Sequence, residues 1–231
     1  MSEHPRLVVL ASGRGSNFQA IQQAIAEERL AADIVAVISD RASAGVLDLA
    51  AQQQIDTACI EPRHFTARDK YEQTLTTAID GFAPDWVVLA GFMRVLGATF
   101  VRHYGGRMIN IHPSLLPRHR GLHTHRRVLE AGEREHGASV HFVTPALDAG
   151  PVITQARLTV AQDDTPDTLA DRLLPLEHRL YPATLALLLN HRVELRDEEI
   201  SIDNQTLATP LLLGCDLDDA GHLLGSGGRG R

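Results

Sequence analysis

The chain has 231 residues, enough for one sizeable domain with its own core, and 44% of them are apolar, an ordinary share for a globular protein. Only 4% are aromatic and the net charge is −7, which argues against a stacking platform for single-stranded nucleic acid and against the basic footprint of a DNA binder. The charge is uneven: from Asp197 onward seven acids face only Arg229 and Arg231, whereas the preceding 196 residues hold 22 acids against 20 bases.

In chain order, short β-rich runs alternate with helical patterns. Residues 7–11, 34–39, 57–60 and 86–90 are predicted strands, and their near-continuous apolar character suits a sheet covered on both faces. Between them, 17–31, 45–54 and 68–82 carry apolar residues at helical spacing. Asp33, Asp56 and Asp85 each stand just before a strand. Strand–helix–strand alternation implies right-handed crossovers, hence an α/β fold with a doubly wound, mostly parallel sheet and helices on both faces.

From Met108 the texture changes. A strand leads into a loop rich in proline, arginine and histidine, then into a helix over 124–132. Residues 138–143 and 151–160 are predicted to form a hairpin-like pair around the turn 145–150. A long amphipathic helix follows over 166–190, which Pro175 and Pro182 are expected to kink or divide. Beyond it one small hairpin is expected over 192–207, and disorder over 221–231, where glycine and arginine cannot build a core. The domain reading is therefore 1–196 as the functional domain and 197–231 as an acidic extension.

Cys59 and Cys215 are too few and too far apart for a disulfide framework or zinc cluster, and a reducing cytoplasm is expected. The first residues lack the basic start and apolar stretch of a signal peptide, and no apolar run reaches the roughly 18 residues that span a membrane. A soluble protein with no membrane or nucleic-acid partner, monomer or homodimer, is the expectation.

The stretch "ASGRGSNFQAI" (11–21) puts two glycines, a serine and an asparagine where the first strand ends and a helix begins. Such a turn offers backbone N–H groups and the positive helix end to an anion, with Ser16 and Asn17 suited to capping the helix. A Walker loop needs Gly-Lys-Ser/Thr, which is missing, and a dinucleotide fingerprint needs a small residue where Phe18 stands. Asp40, after the second strand, imitates the ribose-binding acid of that fingerprint and keeps the dinucleotide reading open. A tight turn with no ligand is the bland alternative.

Asn110 and His112 lie two apart in a strand, so both side chains point to one face. Asn donates to a developing oxyanion, and His donates from an imidazolium or acts as general acid. Asp148, in the turn "LDAGP", supplies a carboxylate to orient the imidazole and keep it protonated. With no activated Ser or Cys nearby, the trio suggests transfer to an amine that is its own nucleophile. Against this stand twelve histidines, most of them ordinary, and the option that His112, His119, His123 and His125 ligate zinc. No strong ligand spacing favours that option, so no metal is expected. Arg118, Arg120, Arg126 and Arg127 default to a solvated basic face.

Together "LASGRGSNFQAI", "VVLAGFMRVL", "NIHPSLLPRHRGLHTHRRVLEAGEREHGASVHFV", "LDAGPVI" and "EHRLYP" resemble the folate-dependent phosphoribosylglycinamide formyltransferases of purine synthesis, collinearly from about residue 5 to about 195. The resemblance implies the formyltransferase fold, Rossmann-like in its N-terminal half. It further implies that Gly15, Ser16 and Asn17 hold the ribonucleotide phosphate and that Glu177 contacts the same substrate. Asn110, His112 and Asp148 match the catalytic trio. Met93, Arg94, Val95 and Leu96 match the folate-contacting segment, Arg68 matches a further folate-side arginine, and Ala146, Leu147 and Asp148 fall in the loop that closes over the pterin, with Asn110 also on the folate side. The implied co-substrate is 10-formyltetrahydrofolate, with no metal.

Related folate enzymes are the rivals. A methionyl-tRNA formyltransferase continues into a C-terminal barrel, for which too few residues remain, and a formyltetrahydrofolate deformylase carries an extra N-terminal domain. A non-catalytic nucleotide-binding module would not need Asn110, His112 and Asp148 together. Arg120, Ala149 and Pro175 depart from the family pattern, and Pro175 bears on the local geometry at Glu177.

Overall fold

The apolar runs of the first half become strands, and the segments between them become helices. The computed structural model describes residues 4–225, which group into two units: 4–110 with Val143–Pro145, and Ile111–Phe142 with 146–225. In the first unit the order is β1 (Arg6–Leu10), α1 (Ser16–Ala26), β2 (Asp33–Ser39), α2 (Gly45–Gln52), β3 (Asp56–Cys59), a 3-10 turn at Pro62–His64, α3 (Arg68–Gly81), β4 (Trp86–Leu89), α4 (Ala98–His103) and β5 (Met108–His112), on whose last two residues the second unit begins. The strands lie in the order β5-β4-β1-β2-β3 and every pair is parallel.

Period-two alternation sorts β1, β2, β4 and β5 between two apolar layers, whereas β3, the edge strand, is largely exposed and is not covered on both faces as expected. Val8, Leu10, Ala36, Ile38, Val87, Leu89 and Met108 form one core with Tyr71, Leu75 and Ile79 of α3 and with Phe100 and Val101 of α4. Leu7, Val9, Val37, Val88 and Ile109 point the other way and are also fully buried, as are Phe18, Ile21, Val46 and Ala50 of α1 and α2. Asp85 ties a strand entrance, accepting the Arg6 N–H at 2.7 Å.

Two elements differ from expectation. Helix α1 stops at Ala26 rather than continuing to 31, because Glu28 adopts φ 58°, a left-handed conformation that a right-handed helix cannot incorporate. Helix α4, which the sequence pattern did not announce, is six residues long and held by burial of Phe100 and Val101.

The second unit contains α5 (Thr124–Glu130), β6 (Glu135–Phe142), β7 (Val152–Thr159), α6 (Pro166–Asn190), β8 (Val193–Arg196), β9 (Glu199–Ile202), β10 (Gln205–Thr206) and β11 (Leu211–Leu212). β6 and β7 form the expected antiparallel pair. Thr165 and Thr168 close a reciprocal capping box at the start of α6. The prolines do not divide this helix, which runs unbroken for 25 residues. Each proline removes one backbone bond, but the stretch from Leu180 to Leu188 is buried throughout, and packing outweighs that loss.

The segment after α6 is richer than one hairpin. β8, β9 and β10 make a three-stranded antiparallel sheet, and β11 pairs in parallel with β7. The boundary expected at 196/197 falls at the tip of the β8–β9 hairpin, where Arg196 pairs with Glu199, and the extension stays within the second unit. Of the stretch expected to be disordered, 226–231 lie outside the described residues. Residues 221–225 are described: Leu223 bridges to Leu217, and Gly221 packs so closely on α6 that a Cβ there would stand 2.6 Å from that of Ala186.

Candidate functional site

The strand order of the first unit reverses between β1 and β4, and in parallel α/β sheets the crevice at such a switch point, beyond the carboxyl ends of the strands, is where ligands bind. The loops that follow these two strands line a cavity of about 270 Å³ formed by Ser12, Gly13, Arg14, Gly15, Ser16, Asn17, Arg41, Ala90, Gly91 and Met93. Gly15, not Ser16, is the N-cap of α1; it sits at φ 87°, and no side chain caps the helix. A Cβ on Gly15 would stand 2.8 Å from Val46 Cβ, so both its backbone angle and its surroundings demand glycine. Ser16 and Asn17 are therefore the first residues of the helix, and its positive end opens into this cavity.

A second cavity of about 520 Å³ in the same unit is lined by Pro62, Phe65, Thr66, Ala67, Arg68, Tyr71, Glu72, Met93, Arg94 and Val95. Met93 and Val95 are more than half exposed, whereas Leu96, the fourth residue of that predicted segment, is buried in the core. Arg68 donates from Nη2 to the Val95 carbonyl (2.6 Å) and pairs with Glu72 through Nε (2.7 Å). Burial pushes the Tyr71 phenol well above its usual range, an effect that the nearby Asp40 carboxylate reinforces. Asp40 does not imitate a ribose-binding acid: its side chain is fully buried and bonded to Arg94 Nε at 2.8 Å, which closes the dinucleotide reading.

In the second unit His112 and Asp148 meet. His112 Nδ1 lies 3.5 Å from Asp148 Oδ2, and its Nε2 is 3.0 Å from the His119 carbonyl, which can only accept, so Nε2 carries a hydrogen. Asp148 is fixed by the Gly121 N–H, donated to Oδ2 at 2.9 Å, and sits at φ 46°, a left-handed conformation that aspartate tolerates. Both side chains are about nine-tenths buried. The 113–123 loop that supplies the His119 carbonyl is itself pinned: Ser114 Oγ donates to the Arg118 carbonyl, and His119 Nε2 and Arg118 Nη1 both reach Glu133. Asn110 precedes His112 by two residues on β5, half-buried.

Sequence reasoning missed His141, whose Nε2 lies 3.8 Å from Asp148 Oδ1. Burial pushes its pKa down, against the opposing pull of its bond to the Phe142 carbonyl and of Asp148; Nδ1 carries the hydrogen in that bond. β6 is buried along nearly its whole length, and no sequence pattern singled His141 out. His125 Nδ1 and His136 Nε2 share a hydrogen bond of 2.9 Å, and burial pushes His136 down to about 4. Ala146 and Leu147 are exposed in the turn before Asp148, and Glu177 is half-buried on α6.

The chain is 46% identical over 201 residues to the phosphoribosylglycinamide formyltransferase of Escherichia coli (strain K12), covering 87% of this chain and 95% of the relative. Its fold superposes on the structure of the phosphoribosylglycinamide formyltransferase from Coxiella burnetii with a TM-score of 0.87 at 50% identity, over 91% of this chain and 99% of that one. A glycinamide ribonucleotide transformylase from Symbiobacterium toebii matches with a TM-score of 0.83 at 36% identity, over 87% and 95% of the two chains. The family model described as formyl transferase matches residues 5–185, which take in the two cavities described above and the His112–Asp148 pair, and the chain belongs to that family.

Proposed function

We propose that this chain transfers the formyl group of 10-formyltetrahydrofolate to the amine of 5′-phosphoribosylglycinamide, giving 5′-phosphoribosyl-N-formylglycinamide and tetrahydrofolate in de novo purine synthesis. The observation that carries the reading is a histidine held between two acceptors, the His119 carbonyl and the Asp148 carboxylate, with an asparagine two residues before it on the same strand. The arrangement suits acyl transfer to an amine. One C–N bond forms at the formyl carbon, the bond to N10 breaks, and one proton passes from the amine to N10. The amine is its own nucleophile, so the proposal needs no metal.

In this reading Asn110 and His112 donate to the formyl oxygen as negative charge collects on it. An oxyanion is a stronger acceptor than the carbonyl that holds His112 Nε2–H at rest. Asp148 faces Nδ1 at 3.5 Å and is placed to balance positive charge on His112 as the oxyanion forms. Gly15, Ser16 and Asn17 take the ribonucleotide phosphate; backbone N–H groups at a helix end and the guanidinium of Arg41 in the same cavity support this. Arg68, Met93, Arg94 and Val95 take the folate, in a cavity with apolar walls for a ring and an arginine for a carboxylate. Leu96 backs that segment from the core. Ala146 and Leu147 cover the pterin, and Glu177 contacts the ribonucleotide. The two exposed thiols, Cys59 and Cys215, fit a reducing cytoplasm.

The test is a spectrophotometric assay with 10-formyl-5,8-dideazafolate, with and without the ribonucleotide. Product that depends strictly on the ribonucleotide is expected. Deformylation without it would overturn the proposal in favour of a hydrolase.

A further inference from the structure

The irregular stretch 91–97, between β4 and α4, is a wall shared by two cavities: Gly91 and Met93 line the one at the start of α1, and Met93, Arg94 and Val95 line the one beside α3. Its supports come from both sides. On the α3 side, Arg68 holds the Val95 carbonyl, and Glu72 accepts the Gly97 N–H at 2.7 Å. On the other side, Ser12 donates its N–H to the Gly91 carbonyl (3.1 Å) and accepts the Met93 N–H on Oγ (2.8 Å), although the two residues are 81 positions apart. Asp40, the residue before Arg41, holds Arg94 from beneath. Ser12 and Asp40 are each 3% exposed and thus sheltered from water that would loosen these bonds.

We propose that Ser12 and Asp40 are positioning residues that tie the ribonucleotide loop to the folate-side segment, so that the two substrates bind with reciprocal positive coupling. A ligand anchored on 12–17 and Arg41 restrains Ser12 and the end of β2. That restraint passes through Met93 N–H and the Arg94 guanidinium to the wall of the second cavity, where Met93 and Val95 stand more than half exposed. Folate then meets a segment that has already lost part of its conformational freedom, and by linkage folate must favour the ribonucleotide by the same factor. Neither residue needs to touch the reacting atoms for this.

The inference rests on the proposed function, and the experiment separates the two. Calorimetry on the full chain measures binding of 5,8-dideazafolate, which has no formyl group to transfer, with and without saturating glycinamide ribonucleotide. In the wild type the ribonucleotide should tighten folate binding by about fivefold or more, and in Ser12→Ala the factor should fall towards one. A wild-type factor of one, or a factor kept in Ser12→Ala, would overturn the inference and leave the proposed function standing. Should Ser12→Ala not melt cooperatively, Asp40→Asn is measured instead: a reduced factor supports the coupling, and an unchanged one overturns it. A wild type that binds neither ligand overturns the proposed function, and the inference with it.

Discussion

Replacing Asp148 with asparagine removes a charge and little else. The two side chains have the same shape, and an amide oxygen can still accept the Gly121 N–H that now reaches Oδ2 at 2.9 Å. What disappears is the attraction across 3.5 Å to His112 Nδ1. At the effective dielectric that suits partly buried pairs, two unit charges at that separation attract by about 5 kcal/mol, before solvent at the exposed edge of Asp148 reduces it. A positively charged His112 that helps neutralise the oxyanion loses part of this support, and about 3–4 kcal/mol lost in the transition state alone lowers turnover by roughly 10²–10³-fold. The ribonucleotide phosphate is assigned to the loop after β1, which the substitution leaves intact. Steady-state kinetics with each substrate varied should therefore show kcat down by that factor and KM for the ribonucleotide within about threefold of wild type. Turnover within about threefold of wild type would refute the role of Asp148, since an uncharged group would then replace it at almost no cost.

Gly15→Ala should cost about 2–4 kcal/mol of stability, from the left-handed backbone angle and from a Cβ driven against Val46, and should raise KM for the ribonucleotide far more than KM for folate; equal rises in both would mean that the turn is only structural. Acid should weaken the fold through His136, whose pKa drops from 6.5 to about 4 on burial. The unfolded chain binds the extra proton in that window, so the stability present above pH 6.5 is lost progressively down to about pH 4, by up to about 3 kcal/mol. Urea melts at pH 7 and pH 4.5 measure this, and His136→Phe should flatten the difference; identical slopes in variant and wild type would show that His136 never carries that penalty.

β1, β2, β4 and β5 were legible because strands buried on both faces need nearly unbroken apolar runs, and runs of that kind have few other uses; β3, at the exposed edge, carries less of that signal. Helix ends were less legible. Nothing in the composition of 27–31 forbids a helix; α1 ends because Glu28 turns left-handed, a backbone choice that glutamate does not announce. In α6 the prolines suggested an interruption, but burial of the stretch after Leu180 decides the outcome. α4 is too short for periodicity to register. The extension was judged by its acids, whereas its order comes from Leu211 and Leu212, which pair with β7, and from Leu217, fully buried. Such partners are distant in sequence, and no local pattern names them.

The same division runs through the site. Residues assigned to ligands carried a local signal: glycines spaced for a turn at 13–17, Asn110 and His112 two apart on a strand, an aspartate in a tight turn. The supports behind them carried none. Asp40 stands after β2, where an acid invites a sugar-binding reading, and only the fold brings it to Arg94, 54 residues away. Neither Ser12 nor His141 was singled out by any local pattern. Their roles depend on which strands are neighbours, since the ends of β1 and β4 must lie side by side before Ser12 can hold both Gly91 and Met93. Strand order in a parallel sheet is settled by crossovers and packing across the whole unit, so it leaves no trace in any short window. A site at a switch point therefore announces its contact loops one at a time, while the bonds that make those loops a single structure appear only once β1 and β4 are paired.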